Sequence, residues 1–359
     1  MLDCEGEHRL YRCGCAHARP TSAAANGLRI AGGIDLHCHI IVPEVDGALA
    51  GRPELEQITA IAFEQNGHTS QDYNGRMVVE LLPKLTDVEE RLADMDRLGI
   101  ETQVLSPSPT QYHYWADAST AAYIVELQNR RLEEICAVRP DRFLALGAVA
   151  MQHPELAVEQ LDNLMARGFK GVEISTRIDG RDLSDAAFEP FWRSAAAREA
   201  VIFIHPLGSS LGGRIAPFYL SNVIGQPIET TIALSCLIFS GVFDRHPRLK
   251  ICAAHGGGYL PGYIGRSNHA HQVRPEAATC RRRPSEYLRG IWFDTVVHDP
   301  AVLGHLIEAV GASQVVLGTD YPFDMGEYRV AELLASIPNL DEAGRDAIVS
   351  GNARRLLGI

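Results

Sequence analysis

The sequence predicts an α/β protein in which eight parallel strands close into a (β/α)8 TIM barrel, with a small insertion subdomain after strand 1. Eight short apolar runs alternate with longer stretches whose apolar residues recur at helical spacing. The short runs are apolar on both faces, as strands of a parallel sheet buried on both sides are. Eight such units favour a closed barrel. The alternative, an open doubly wound sheet, would be expected to carry a Gly-x-Gly-x-x-Gly turn after its first strand, which is missing here.

The predicted strands can be assigned one by one from their apolar runs. In chain order they span residues 33–37, 101–106, 143–150, 170–175, 201–205, 249–255, 291–295 and 314–320. Between the first two strands, a helix over residues 86–99 is expected to begin with a capping box formed by Thr86 and Glu89. It ends at Gly99, which suits the left-handed C-cap position.

The predicted domain organisation is one barrel domain, residues 31–359, preceded by an N-terminal extension, residues 1–30. The extension has no sustained period of either 2 or 3.6, so we expect it to be loosely ordered. Cys13, Cys15 and His17 could clamp a metal ion there, but no second half-site accompanies them. Residues from about 42 to about 85 interrupt the strand–helix rhythm and are too many for a simple loop, so they are expected to form the insertion over the barrel mouth.

Composition restricts the class of function. The chain has 359 residues, 46% of them hydrophobic, and a net charge of −12. This acidic balance argues against nucleic acid and anionic membranes as partners, because both require a basic surface. No run approaches the ~20 apolar residues of a membrane helix, and no secretory apolar region of ~7–15 residues opens the chain. Eight cysteines without framework spacing indicate reduced thiols in a cytoplasmic protein.

Polar residues end the predicted strands, where a barrel carries its active site. They are, in strand order, His37 and His39, Ser106, Glu173, His205, His255, Asp294 and Asp320. His37 and His39 are two positions apart on one strand and therefore share a face. With His205 and Asp320 they supply three imidazoles and a carboxylate, which is a good ligand set for a divalent metal ion.

The remaining histidines near the strand ends have several interpretations. A single histidine is more often a hydrogen-bonded core residue than a ligand, but several at the same depth of one barrel favour a metal site. His255, in "AAHGGG", could bind a second ion, act as an acid or base, or cap the turn. His113 follows strand 2 closely enough to face the same pocket.

The phrases "IDLHCHI", "SGVFDRHPRLKICAAHGGG" and "LGTDYPF" occur in an order that resembles the amidohydrolase superfamily and, within it, the amidohydrolase-related decarboxylase branch. The resemblance covers about residues 33–359. It implies one divalent ion, Zn²⁺ first and Mn²⁺ as the alternative, held by His37, His39, His205 and Asp320. It also implies that His255 activates water at this ion, and Asp320 counts among the catalytic residues as well as among the ligands.

The resemblance further implies two arginines that hold substrate carboxylates, so the expected partner is a small-molecule carboxylate. Guanidinium groups match carboxylates in a bidentate way that lysine does not reproduce. Arg76, in the insertion, would contribute to its own pocket, whereas Arg266 would reach the neighbouring active site of a homodimer. The chain departs from the branch after His205, where Leu207 and Gly208 replace a Trp-Asp pair.

The implied function is a metal-dependent, non-oxidative decarboxylase of an unsaturated or aromatic carboxylic acid. A metal-dependent hydrolase or hydratase acting on a related ring-cleavage product is the alternative, because the same ion and base suit both reactions. A barrel with a purely structural zinc is the non-enzymatic alternative. Glu173 could bridge to a second ion, and an aromatic pocket wall could come from Phe218, Tyr112 or Trp115.

Overall fold

A computed structural model describes residues 29–359 of the chain. The strands are β1 Gly33–Ile40, β2 Ile100–Pro107, β3 Phe143–Gly147, β4 Gly171–Ile174, β5 Arg177–Ile178, β6 Arg181–Asp182, β7 Val201–Ile204, β8 Lys250–Ala253, β9 Trp292–Asp294 and β10 Val315–Val316. Eight of them form one parallel sheet in the order β1-β2-β3-β4-β7-β8-β9-β10, and β5 and β6, with two residues each, form a separate antiparallel hairpin.

The sheet closes on itself between its first and last strands. The backbone N–H of Leu36 in β1 donates to the carbonyl of Leu317 at 2.9 Å, and Cys38 forms a parallel bridge with Tyr321. The eight strands lie where the apolar runs predicted them. The (β/α)8 barrel is therefore confirmed, and the open doubly wound alternative is not the fold.

Helices connect the strands and surround the barrel. They are α1 Pro43–Leu49, α2 Pro53–Asn66, α3 His68–Thr86, α4 Val88–Leu98, α5 Ala118–Val138, α6 Pro154–Ala166, α7 Glu189–Arg198, α8 Gln226–Phe239, α9 Val242–Arg245, α10 Leu260–Val273, α11 Pro284–Leu288, α12 Pro300–Val310, α13 Val330–Ala335, α14 Glu342–Asp346 and α15 Asn352–Leu357. Helices α1 to α3 occupy the stretch predicted to be an insertion.

Helix α4 begins one residue later than the capping box predicted. Its N-cap is Asp87, whose Oδ1 accepts hydrogen bonds from the backbone N–H groups of Glu89 and Glu90 at 2.8 and 3.4 Å. Thr86 instead ends α3, and its hydroxyl donates to the carbonyl of Leu82 at 2.8 Å. The predicted capping box is therefore wrong, because a carboxylate one residue further on takes the same backbone donors.

Two apolar clusters fill the fold. The larger one packs the strands against the surrounding helices. The smaller one joins Phe203, Cys252 and Val316 to Leu356 of α15. The ring centre of Phe203 is 4.9 Å from that of His37, so this smaller cluster lies directly beneath the imidazoles of β1.

One helical segment among the described residues, Pro217–Phe239, is long and apolar enough to resemble a membrane span, contrary to the expectation from the sequence. Its last part is α8, which lies between β7 and β8 and buries Leu234, Leu237 and Ile238 in the core. It also buries the carboxylate of Glu229, which accepts from the backbone N–H of Ser210 at 2.6 Å. These contacts are those of a barrel helix.

The cysteines within residues 29–359 are free thiols, namely Cys38, Cys136, Cys236, Cys252 and Cys280. The possible clamp of Cys13, Cys15 and His17 lies outside the described residues.

Candidate active site

The end of β1 brings two imidazoles to the centre of the barrel. His37 and His39 are both completely buried, and their Nε2 atoms are 3.1 Å apart. Oδ1 of Asp320, which follows β10, lies 3.3 Å from each of these Nε2 atoms. The first and the last strand therefore deliver three of the predicted side chains to one point.

His205 and His255 complete the cluster. His205 directly follows β7, and its ring centre is 4.9 Å from that of His37 and 5.0 Å from that of His255. Nε2 of His255 is 3.6 Å from Oδ2 of Asp320. Potential ligand atoms of His37, His205, His255 and Asp320 all lie within 4.8 Å of one another, and His39 adjoins them. The structure thus brings together the four predicted metal ligands and His255.

The hydrogen bonds of the imidazoles test whether this cluster fits a metal ion. Both ring nitrogens of His205 are buried without a hydrogen-bond partner, and so are Nδ1 of His39 and Nδ1 of His255. Buried polar atoms without partners are rare and destabilising. A cation that accepts lone pairs from imidazole nitrogens removes this cost, and imidazoles combined with one carboxylate are donors that Zn²⁺ and similar divalent ions prefer. The residues therefore fit a divalent metal ion.

Burial and neighbouring charges set the protonation of the cluster. Burial, together with His37 and His39, holds the pKa of His205 well below its usual value, so that its ring is neutral as a metal ligand must be. Burial alone would raise the pKa of Asp320, but the charge of His37 holds it well below the usual range. Burial would lower the pKa of His37, yet Asp320 and a hydrogen bond to Asp294 raise it to about 10. A protonated His37 thus balances the charge of Asp320, a role that a bound cation would take over.

Two of the five residues have left-handed backbones. The φ angles of His255 and Asp320 are 55° and 59°, values that non-glycine residues adopt rarely and that cluster at functional sites. Three glycines with positive φ follow His255. At the last of them, Gly258, a Cβ atom would lie 2.1 Å from the carbonyl oxygen of Pro227, so this close turn requires glycine. The segment "AAHGGG" thus forms a sharp turn directly after β8.

Asp294, at the end of β9, contacts two of these elements through one buried carboxylate. Its Oδ2 accepts from Nδ1 of His37 at 2.6 Å and from the backbone N–H of His255 at 2.9 Å. Its Oδ1 accepts from the backbone N–H groups of Gly256 at 2.8 Å and Val296 at 3.1 Å. The sequence identified Asp294 only as a polar strand end and assigned it no role.

Glu173, at the end of β4, is already committed to hydrogen bonds. It accepts from the hydroxyl of Ser106 at 2.5 Å and from that of Tyr112 at 2.7 Å, one on each carboxylate oxygen. It lies 3.7 Å from Nδ1 of His39 and stands outside the group of mutually close ligand atoms. This arrangement disfavours the bridging of a second ion by Glu173.

A cavity of about 160 Å³ opens onto the cluster. Helix α3 and the loops after four of the barrel strands supply its walls, which are lined by Asn74, Met77, Val78, Ser108, Pro109, Thr110, His205, Pro206, Leu207, Tyr219, Asn222, Gln226, His255, Asp320, Phe323, Asp324 and Met325. An engineered cavity of about 150 Å³ in another protein holds one benzene molecule. The space is therefore suited to a single ring or a chain of similar size.

The structure does not bring Arg76 to this cavity. Asn74, Met77 and Val78 line it at spacings of three and four residues along α3, whereas Arg76 is exposed on another face of the same helix. There it borders a different depression, beside Phe63 of α2. Arg76 was predicted from the resemblance alone, and a shift of one or two residues on a helix turns a side chain to another face.

Arg266 is also absent from the cavity of its own chain. It is exposed on α10 and lines a separate groove of about 470 Å³ together with Tyr259 and Tyr263. Tyr263 is 74% exposed. The position of Arg266 on the outer surface suits a contact with another subunit, but a single chain does not contain that contact.

The aromatic wall differs from the prediction. Phe218 is 90% exposed and lies outside the cavity lining, whereas the next residue, Tyr219, lines it together with Phe323. Tyr112 packs against Tyr114 with its hydroxyl on Glu173, and Trp115 lies against His113, whose ring is also outside the lining. The exposed and buried aromatic residues of these loops could not be distinguished by residue type alone, because the loops lack a regular period.

A model of the family described as Amidohydrolase matches residues 34–359. The chain belongs to the amidohydrolase family. It is 32% identical over 339 residues to 2-amino-3-carboxymuconate-6-semialdehyde decarboxylase of Dictyostelium discoideum, which covers 91% of each chain.

Solved structures agree with this membership. A 2,6-dihydroxybenzoate decarboxylase in complex with 2,6-dihydroxybenzoate is 28% identical, with a TM-score of 0.76 over 92% of this chain and 99% of that one. The 5-carboxyvanillate decarboxylase of Sphingomonas paucimobilis is 25% identical, with a TM-score of 0.80 over 92% and 100%. The resemblance of this amidohydrolase to the decarboxylase branch is confirmed.

Proposed function

We propose that this amidohydrolase is a metal-dependent, non-oxidative decarboxylase of an unsaturated or aromatic carboxylic acid. The observation that carries the proposal is the cluster of four imidazoles and one carboxylate at the base of a ring-sized cavity. The relatives support it, since their names specify 2-amino-3-carboxymuconate-6-semialdehyde and 2,6-dihydroxybenzoate as the acids that they decarboxylate.

The proposed ligands of one divalent cation are His37, His39, His205 and Asp320, with Zn²⁺ as the first expectation and Mn²⁺ as the alternative. When bound, the cation would draw electron density from an oxygen of the substrate and so stabilise the negative charge that develops as CO₂ leaves. Nε2 of His37 and Oδ1 of Asp320 lie 3.3 Å apart, on the two sides of the seam where β1 meets β10. His205 completes the set with a neutral, unpaired imidazole.

His255 is the proposed proton donor. Its side chain is 17% exposed and lines the cavity, whereas His37 and His39 are sealed beneath it. Decarboxylation breaks the bond between the carboxyl carbon and the ring or chain carbon, and the electron pair stays on the latter. A proton from the His255 imidazolium then forms the new C–H bond. Oδ2 of Asp320, 3.6 Å from Nε2 of His255, lies beside that ring at the cavity wall.

A substrate with a second carboxylate needs a cation that the single chain does not provide at the cavity. Among the described residues, no lysine or arginine lines it. We therefore infer a homodimer in which the partner subunit's Arg266 supplies this charge, as the exposed position of Arg266 on α10 allows. The predicted role of Arg76 has no such support, because its side chain lies on another face of α3. A cytoplasmic location stays a prediction.

Release of CO₂ tests the reaction. The purified protein, loaded in turn with Zn²⁺ and Mn²⁺, is offered unsaturated dicarboxylic acids, including 2-amino-3-carboxymuconate-6-semialdehyde, and hydroxybenzoates, and evolved CO₂ is measured. We expect CO₂ from one of these acids and its loss, by about 10²-fold or more, in His255→Asn. His305→Asn, on the exposed face of α12, is the matched control and retains activity. Conversion of a substrate without CO₂ would replace the proposal with the hydrolase or hydratase alternative.

Mixing two inactive variants tests the shared site. Arg266→Ala lacks the arginine offered to the partner, and His255→Asn lacks the proton donor of its own site. A mixed dimer then contains one site with both groups, so random exchange of subunits restores about a quarter of the wild-type activity. No recovery in a preparation that sedimentation shows to be dimeric would place Arg266 outside the neighbouring site.

A further inference from the structure

We propose that Asp294 is a positioning residue that fixes the metal-binding nitrogen of His37 and, at the same time, the backbone turn that carries His255. This inference rests on the proposed function, because it assigns Asp294 a task at the proposed metal site. Asp294 is completely buried, yet it contacts neither the cavity nor the point where the ligand atoms meet. It acts through its neighbours.

The first half of the task concerns the ring of His37. Oδ2 of Asp294 is 2.6 Å from Nδ1 of His37, and an ionised carboxylate can only accept, so Nδ1 must carry the proton. The other ring nitrogen, Nε2, points at Asp320 and His39, at 3.3 and 3.1 Å. The hydrogen bond to Asp294 therefore selects the form of His37 whose Nε2 lone pair is free to bind the ion.

The second half concerns the turn after β8. His255 has a left-handed φ of 55°, a conformation that is unfavourable for a residue with a side chain. The backbone N–H groups of His255 and Gly256 both donate to Asp294, one to each carboxylate oxygen. A third N–H, that of Val296, also donates to Oδ1. These bonds hold the turn in the conformation that places the ring of His255 on the cavity wall.

Because both oxygens accept two hydrogen bonds each, an amide cannot replace this carboxylate. In Asp294→Asn the NH₂ group faces two donors whichever way the amide is turned. Turned towards His37, it donates to Nδ1, so the proton moves to Nε2 and blocks the metal-binding position. Turned away, it opposes the N–H groups of Gly256 and Val296 and loosens the turn.

The matched control is Asp35→Asn. Asp35 is equally buried and also contacts His37, but through the backbone N–H at 3.2 Å rather than through the ring. Its other partners are Thr319 and Gln103. Asp35→Asn therefore tests the loss of a buried carboxylate close to His37 without removing a hydrogen bond to the His37 ring.

Metal affinity measured by competition with a chelator separates the two carboxylates. We expect Asp294→Asn to bind Zn²⁺ about 10- to 100-fold more weakly than wild type, and Asp35→Asn to show no comparable loss. Equal affinities of wild type and Asp294→Asn would overturn the inference and leave the proposed function intact. If wild type itself binds no divalent ion, it is the proposed function that fails.

Turnover of Asp294→Asn at saturating metal isolates the effect on His255. We expect kcat to stay reduced when the metal site is full, while KM changes little, because the proton donor is displaced and the substrate pocket is not. Full recovery of kcat would show that Asp294 does not position His255.

A measurement on the wild type covers the case in which Asp294→Asn does not fold. With ¹¹³Cd²⁺ as the bound ion, nitrogen-15 spectra of the histidine rings report which nitrogen of His37 is coupled to the metal. Coupling through Nε2 with a proton on Nδ1 is expected. Coupling through Nδ1 would overturn the inference.

Discussion

Metal binding to this site should release at least one proton, and His37 is its source. Asp320 and Asp294 outweigh the effect of burial and raise the pKa of His37 to about 10. At pH 7, three units below that value, more than about 99% of His37 is protonated. A metal ligand must be neutral, so binding the ion removes this proton. His205 and Asp320 release none, since their lowered pKa values already leave the one neutral and the other ionised.

The sign of the pH dependence follows from this competition between the proton and the metal ion. Metal affinity should rise by at least about tenfold for each pH unit between pH 6.5 and 8.5, which remains below the pKa of His37. Calorimetric titration in buffers of different ionisation enthalpy gives the number of protons directly. Release of fewer than about half a proton per ion, with an affinity that does not change with pH, would refute the reasoning. His305→Asn is again the control and should leave the proton number unchanged.

Three further predictions concern stability. Asp87→Ala removes the N-cap of α4 and should lower the free energy of unfolding by about 1 kcal/mol, as urea denaturation measures it. Gly171→Ala should cost about 3 kcal/mol or more, because its Cβ would lie 1.8 Å from the carbonyl oxygen of Val201 at a φ of 150°; a normal melting temperature would contradict this. The hydrogen bond to Glu327 raises the pKa of His298. The contribution of this pair to the free energy of unfolding is therefore complete below pH 6.5 and is lost as the pH rises through the raised pKa. His298→Asn should therefore destabilise by about 0.5 kcal/mol at pH 6, discounted for its exposure, and by less at pH 9, whereas equal losses would argue against the pair.

The barrel and its rim were predictable because strand periodicity fixes both the face and the end at which a residue lies. His37 and His39 are two positions apart on β1, so burial of one face of the strand places both at the centre. Asp320 follows β10, which closure of the sheet places beside β1. His205 follows β7 on the far side of the barrel, and its ring meets that of His37 at the centre. For these residues, the hydrogen-bonded pairing of the barrel strands converts position in the sequence into position in space.

Residues outside the barrel strands could not be located in this way. Arg76 lies on a helix of the insertion, where orientation depends on how α3 packs and not on a repeating pattern. Phe218 and Tyr219 are adjacent in sequence, yet only Tyr219 reaches the cavity, because an irregular turn separates their directions. Asp294 was visible as a polar strand end, but three of its four hydrogen bonds join it to residues that are distant in sequence. A useful signal in the sequence would have been that Asp294 is a charged residue in a predicted strand whose neighbouring residues are apolar.

One part of the cavity wall comes from a stretch of the chain that is separate from the proposed metal ligands. Helix α3 supplies Asn74, Met77 and Val78, whereas the imidazoles and Asp320 follow strands of the barrel. Substitutions in residues 68–86 can therefore change which acid is admitted without altering any of the proposed metal ligands. New preferences could accumulate there by ordinary drift, each intermediate remaining a working catalyst, and an exchange of this helix between relatives would be a direct route to an altered enzyme.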